Sequence, residues 1–122
     1  MEFTPMELAA LRSIFSETPE HAAALERQIA VAIVTARENT GGGFYTDIAV
    51  PDRVPLVEGH WTPGEQTLAC IDGFPDPIHF ILSLEEGKVR LLEGYTFGSG
   101  STAAFDLANL RFKVTRSSMR AS

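Results

Sequence analysis

The sequence lacks the features that mark membrane proteins and secreted proteins. Its densest apolar run, residues 29–34, is far shorter than the roughly 20 residues of a membrane-spanning helix. The chain begins with an acidic residue after the methionine and has no basic stretch or cleavage site of an export signal. Its single cysteine, Cys70, has no partner for an internal disulfide. We therefore expect a cytoplasmic protein without a membrane partner.

Positive charge is also scarce. The 122 residues include 10 Lys and Arg against 16 Asp and Glu, a formal charge of −6 at pH 7. An acidic surface repels phosphate backbones, so we do not expect a nucleic-acid partner. The length and a hydrophobic content of 44% suit one globular unit. We expect a single domain over residues 1–115 and a flexible tail over residues 116–122.

Two helices are predicted at the start of the chain. Thr4, Pro5 and Glu7 have the spacing of a capping box, with proline at the first helical position. The apolar residues that follow recur at helical spacing, which predicts a helix to about Ser16. A second Thr-Pro pair and a second apolar stripe predict another helix over residues 19–28. Each helix has one apolar face, so both must lie on another surface.

Strands are predicted for the rest of the chain. Residues 78–97 read as a hairpin, because apolar and polar residues alternate in the first arm and Gly87 lies in the turn. Further strands are predicted at residues 29–37, 44–50, 66–72 and 108–114. The order of elements predicts an α+β fold, with two N-terminal helices packed on one face of a mostly antiparallel sheet of about six strands.

Residues that could bind a metal are present but poorly spaced. Glu58, His60 and His79 are the best set, with Asp72 or Asp76 as a further ligand. Only Glu58 and His60 are close in sequence, and they lie in a proline-bounded loop. The sequence has no HExxH motif and no paired cysteines. We therefore expect neither a metal nor a cofactor.

Signals for catalysis are equally weak. No GxSxG motif, P-loop or dinucleotide-binding glycine pattern occurs. Cys70 falls inside a predicted strand, where we expect it to be a small buried residue and not a nucleophile. Our interpretation leans away from an enzyme. The alternative is a small hydrolase-like or metal-assisted enzyme that uses Glu58, His60, His79 or Glu93.

Glu93 interrupts the apolar pattern of the hairpin's second arm. Alternation places it on the same face as Val89 and Leu91, where a carboxylate needs a partner such as Arg37. Three interpretations remain open: a buried ion pair that fixes strand register, a bulge at Gly94 that turns the carboxylate outward, or a carboxylate that lines a pocket.

Two segments resemble the hallmark motifs of an uncharacterised family of small bacterial proteins. They are TGGGFYTD at residues 40–47 and LLEGYTF at residues 91–97, similar to the family's TG-x-GF(F/Y)T and LEGY motifs. The resemblance implies a shared fold and a bacterial cytoplasmic origin, with no assigned activity. The chain departs from the family at Gly42, where a small aliphatic residue is usual. It also lacks a Trp-Pro ending after Gly98.

Glycine turns flanked by aromatic residues are typical of recognition surfaces. We therefore expect a non-catalytic binding or protein-interaction domain, whose partner is an unknown protein, a small molecule or a second copy of the chain. The candidate binding residues are Arg37, Gly43, Phe44, Tyr45, Thr46, Glu93 and Tyr95.

Overall fold

The computed structural model describes residues 2–58 and 63–116, and it contains two helices followed by six strands. Strand order is β1-β2-β5-β4-β3-β6, and all neighbouring strands are antiparallel. The predicted α+β fold is confirmed. Within the described ranges, neither helix is both long enough and apolar enough to cross a bilayer. The elements are α1 Pro5–Ser16, α2 Pro19–Val31, β1 Ile33–Asn39, β2 Gly43–Ala49, β3 Thr67–Ile71, β4 Ile78–Glu85, β5 Lys88–Tyr95 and β6 Phe112–Arg116.

Helix α1 agrees with the prediction at both ends, whereas α2 is longer than predicted. The capping box of α1 is present: Thr4 Oγ1 accepts a hydrogen bond from the Glu7 amide at 3.1 Å, and Glu7 Oε1 accepts one from the Thr4 amide at 2.7 Å. Such a cap stabilises a helix by about 1 kcal/mol. Helix α2 continues to Val31, so the strand predicted from residue 29 begins only at Ile33. The helical spacing of Leu25 and Ile29 outweighs the β-branched composition of this stretch.

One apolar core lies between the helices and one face of the sheet. Phe15 and Leu25 of the helices pack with Phe44, Phe80 and Leu92 of the strands, and all five are almost fully buried. The rings of Phe44 and Phe80 meet edge to face, with centroids 6.1 Å apart. Both helices therefore cover the same face of the sheet.

A two-residue turn joins β4 to β5. Glu85 pairs with Lys88, and the central residues Glu86 and Gly87 have φ angles of 52° and 79°. Left-handed backbone at both central positions is the turn type that matches the twist of a hairpin. The predicted hairpin turn is confirmed.

A bulge in β5 overturns our assignment of its faces. The β4–β5 ladder shifts register at Arg90, which has no counterpart on β4. Val89 is buried before the shift and Leu92 after it, while Glu93 is exposed on the opposite face. Of the three interpretations of Glu93, the structure shows the outward-turning bulge, although at Arg90 and not at Gly94, and the face that alternation gave Glu93 is wrong. An extra residue reverses which side chains face the core, and alternation alone does not reveal it.

The buried carboxylate of the fold is Glu7, which is 1% exposed. Arg37 Nε donates to Glu7 Oε2 at 2.6 Å and Arg37 Nη2 donates to Oε1 at 2.7 Å. Thr46 Oγ1 donates to Oε2 at 2.5 Å. The Glu7 carboxylate, through these hydrogen bonds, raises the pKa of Arg37. Arg37 thus pairs with Glu7 and not with Glu93, and the pair ties the start of α1 to β1 and β2.

Replacing Glu7 with glutamine tests this connection. The amide cannot neutralise Arg37, so we expect Glu7→Gln to lower the free energy of unfolding by about 3 kcal/mol. Urea denaturation followed by circular dichroism measures the change. Glu2→Gln, an exposed acid on the same segment, should shift stability by less than about 0.5 kcal/mol. Equal denaturation midpoints for the two variants would contradict a structural role for the pair.

Candidate functional site

The sheet has a second face that neither helix covers, and we call it the open face. Its side chains alternate with those of the core along every strand, so their positions follow from the ladder register. Tyr45, Glu93 and Ile81 form one row across β2, β5 and β4. Tyr95 and His79 form the next row across β5 and β4. These central side chains are half-buried, apart from the exposed Glu93.

Three rings pack together on the open face at one end of the two central strands, and we call them the aromatic cluster. His79 stacks on Tyr95 with centroids 5.6 Å apart, and Phe97 meets the His79 ring edge to face at 4.9 Å. Phe97 also meets Tyr95 at 5.3 Å. Phe97 is 79% exposed, the highest value among the exposed large hydrophobic residues. The two central strands thus present an aromatic surface to solvent.

The structure brings only part of the predicted binding set to this surface. Tyr45, Glu93 and Tyr95 share the open face and are neighbours in the ladder. Sequence reasoning missed two members of the aromatic cluster: it treated His79 as a strand histidine or a ligand, and it did not select Phe97. The usable signal was that Tyr95 and Phe97 are two residues apart, which places both on one face.

Three other predicted binding residues point the opposite way. Phe44 and Thr46 are buried on the face that the helices cover, at 2% and 0% exposure. Arg37 also lies on that face, where Glu7 engages its guanidinium. These side chains hold the fold together and are not accessible to a ligand on the open face. The predicted set is therefore divided between the two faces of the sheet.

Gly43 has a structural explanation. Its φ is 143°, and a Cβ placed there would lie 2.0 Å from the carbonyl oxygen of Gly94. A Cβ at Gly94 would in turn lie 2.5 Å from the ring of Phe44. The two glycines allow β2 and β5 to approach closely. They are explained by strand packing without any ligand.

The glycine turn between β1 and β2 is held by Thr102, which is 1% exposed. Thr102 Oγ1 donates to Asn39 Oδ1 at 2.8 Å and accepts from the Gly43 amide at 3.1 Å. The Thr102 amide donates to the Gly41 carbonyl at 2.7 Å. The glycine and serine content of residues 98–102 is typical of a flexible link, but these contacts fix Thr102 in place. No local pattern could have revealed a contact between positions about 60 residues apart.

Cys70 lies on the open face and is exposed, so the expectation that it is buried is wrong. Strand β3 contacts the core through the side chains of Ala69 and Ile71, which are 0% and 4% exposed. Cys70 stands opposite Lys113 of β6 instead. The strand is too short for alternation to say which of its two faces is inside.

The residues of the alternative, enzymatic interpretation do not form one described cluster. Glu58 is exposed in the loop after β2, and His60 lies outside the described residues. His79 and Glu93 are diagonal neighbours on the open face, with the His79 ring packed between aromatic residues. Across residues 2–58 and 63–116, no three His, Cys, Asp or Glu side chains are grouped as metal ligands are.

Charge on the open face is concentrated near its β1 and β2 edge. Glu38 stands opposite Tyr45 in the ladder. The Glu38 carboxylate accepts a hydrogen bond from the Tyr45 hydroxyl, and it repels the negative charge of the ionised Tyr45 side chain. Both effects raise the pKa of Tyr45. Asp47 forms an ion pair with Arg90 at 3.1 Å. The aromatic cluster is therefore flanked by carboxylates on one side.

Comparisons with known proteins identify no relative. A scan against protein-family models and searches of curated proteins and of solved structures found no match to this chain. The open face is therefore the basis for a functional proposal. It offers apolar and aromatic contact area at Tyr45, Ile81 and the aromatic cluster, interrupted by the exposed carboxylate of Glu93.

The Glu38–Tyr45 contact predicts a measurable titration. In a Tyr95→Phe background Tyr45 is the only tyrosine, since the chain has two. We expect its phenol to ionise above the usual pH range, and Glu38→Gln to lower that midpoint, because the repelling charge is removed. Phenolate absorbance in a pH titration measures both. Glu26→Gln, which lies in helix α2, is the control and should leave the midpoint unchanged. A midpoint unaffected by Glu38→Gln would refute the contact.

Proposed function

We propose that this chain is a non-catalytic protein-interaction domain that forms a homodimer by packing two open faces together. The observation that carries the proposal is the aromatic cluster at one end of the central strands of the uncovered sheet, with Phe97 79% exposed. Large exposed apolar groups grouped on one face mark an interaction site more strongly than scattered ones. The buried polar groups lie on the other face, so the two faces have distinct roles.

Burial of the aromatic cluster supplies the driving force. Transferring an exposed phenylalanine side chain out of water contributes about 1.5–3 kcal/mol, and a two-fold dimer gains this twice. Tyrosine and histidine beside Phe97 add contact area and can hydrogen-bond at the margin. Aromatic residues near the centre of a patch are the usual energetic anchors of interfaces.

The strand order makes the open face self-complementary. A two-fold axis parallel to the strands places β5 of one copy over β4 of the other, so Tyr95 lies over the partner's His79. Two sheets packed in this way lie about 10 Å apart with strands nearly aligned.

The size of the face suits a dimer. A sheet of six strands, about 29 Å wide and about 20 Å long, presents about 600 Å² in projection. Side-chain relief brings the accessible area near the roughly 800 Å² per partner that specific interfaces bury. A cytoplasmic location fits this arrangement, because the exposed thiol of Cys70 stays reduced there.

Light scattering on the purified protein tests the dimer. We expect twice the mass of one chain, and we expect Phe97→Glu to give a monomer, because the substitution removes the exposed ring and places a carboxylate against the partner's aromatic residues. Leu56→Glu is the matched control, since Leu56 is also exposed, at 57%, but lies outside the sheet. A wild-type monomer would contradict the proposal, as would a dimer that survives Phe97→Glu.

The single cysteine provides an independent reporter. Cys70 is exposed on the open face of one copy and becomes covered when two faces pack. We expect its reaction with a thiol reagent to slow as protein concentration rises, and to stay fast in Phe97→Glu at all concentrations. Equal rates in the two proteins would mean that the open face is not the contact surface.

A further inference from the structure

A separate depression lies between the end of α2 and the loop that follows β2. Its volume is about 260 Å³, and it is lined by Arg27, Ala30, Val31, Arg53, Val54 and Pro55. Val31 is 52% exposed there. The helix contributes one wall through residues three and four positions apart, which share a face. The loop contributes the opposite wall.

Each wall carries one arginine without a partner. Arg27 and Arg53 form no hydrogen bond or ion pair with any residue in the ranges 2–58 and 63–116. The nearby basic side chains of the sheet are engaged, since Lys88 pairs with Asp52 and Arg90 pairs with Asp47. In a chain of formal charge −6, two unpaired guanidinium groups at one depression form a local positive site.

A fully buried glutamine fixes the two walls relative to each other. Gln28 Nε2 donates to the carbonyl oxygens of Pro55 at 2.7 Å and Gly87 at 2.9 Å, and its Oε1 accepts from the Val89 amide at 2.9 Å. Gln28 is 0% exposed and is adjacent to Arg27 in the chain. The depression is therefore held in place before any ligand arrives, which lowers the entropy lost on binding.

The backbone at Arg53 is unusual. Its φ of 70° lies in the left-handed region, which costs a residue with a Cβ about 1–2 kcal/mol. Such conformations persist where the surrounding structure imposes them, and they are concentrated at ligand sites. Here the Gln28 hydrogen bond to Pro55, two residues later, fixes the loop in this shape.

We propose that this depression binds a small organic anion, a carboxylate or a phosphate monoester attached to an apolar group. The two guanidinium groups bind the anionic oxygens, for which their planar donors are suited. Ala30, Val31 and Pro55 contact the apolar part. The site lies at the end of the sheet near Gly87, whereas the aromatic cluster lies at the other end of β5, so this proposal is independent of the dimer.

Calorimetric titration with benzoate and with phenyl phosphate tests the site. We expect at least one of them to bind more tightly than inorganic phosphate, which lacks the apolar part, and benzamide, which lacks the charge. The tighter of the two probes identifies the preferred head group. Arg27→Gln and Arg53→Gln should each weaken that probe at least tenfold. Arg12→Gln, an exposed arginine of α1, is the matched control and should change nothing.

Other outcomes would overturn the proposal. One is the absence of any heat of binding with both aromatic anions, and another is benzamide that binds as tightly as benzoate. A third is an equal loss of affinity for the probe in all three arginine variants. Circular dichroism spectra check that the three arginine variants keep the fold of the wild-type protein. The same titration on Phe97→Glu should give an unchanged affinity, which separates failure of this site from failure of the dimer.

Discussion

The fold depends on one buried carboxylate. Glu7 accepts hydrogen bonds from the Thr4 amide, from two guanidinium nitrogens of Arg37 and from the Thr46 hydroxyl, so one side chain joins α1, β1 and β2. Burying this charge is costly, and the cost is offset only because every oxygen has well-placed donors. This hydrogen-bond network fixes which face of the sheet the helices pack on. The opposite face is left uncovered as a direct consequence.

Features set by short-range chemistry could be predicted from the sequence. The capping box at Thr4 and Glu7 involves positions three apart, and the turn at Gly87 needs only the local backbone. Alternation in β4 correctly placed Phe80 and Leu82 in the core, because nothing interrupts that strand before Ser83. Two helices followed by paired strands then leave few arrangements other than an α+β layer structure.

Features set by tertiary contacts could not be predicted from the sequence. The bulge at Arg90 sends Glu93 to the open face, whereas the local sequence indicated Gly94 as the position of a bulge. The expected partner of Arg37 was Glu93, and only the docking of α1 brings Glu7 to it instead. Thr102 reaches the glycine turn from about 60 residues away. The candidate site was consequently predicted in part: Tyr45, Glu93 and Tyr95 share one surface, while the remaining residues stabilise the fold.

The distribution of polar and apolar groups is what links fold to function. Glu7, Gln28 and Thr102 are buried and hydrogen-bonded on the covered side, while the aromatic cluster faces solvent. Apolar side chains fill the core on the other face of the sheet. The exposed rings of the aromatic cluster are therefore not part of an incompletely packed core. In the proposed dimer the two-fold axis runs parallel to the strands, so both arginine-lined depressions lie at the same end of the assembly. They lie beside α2, on the outer sides of the two packed sheets, so each depression binds its anion independently of the other.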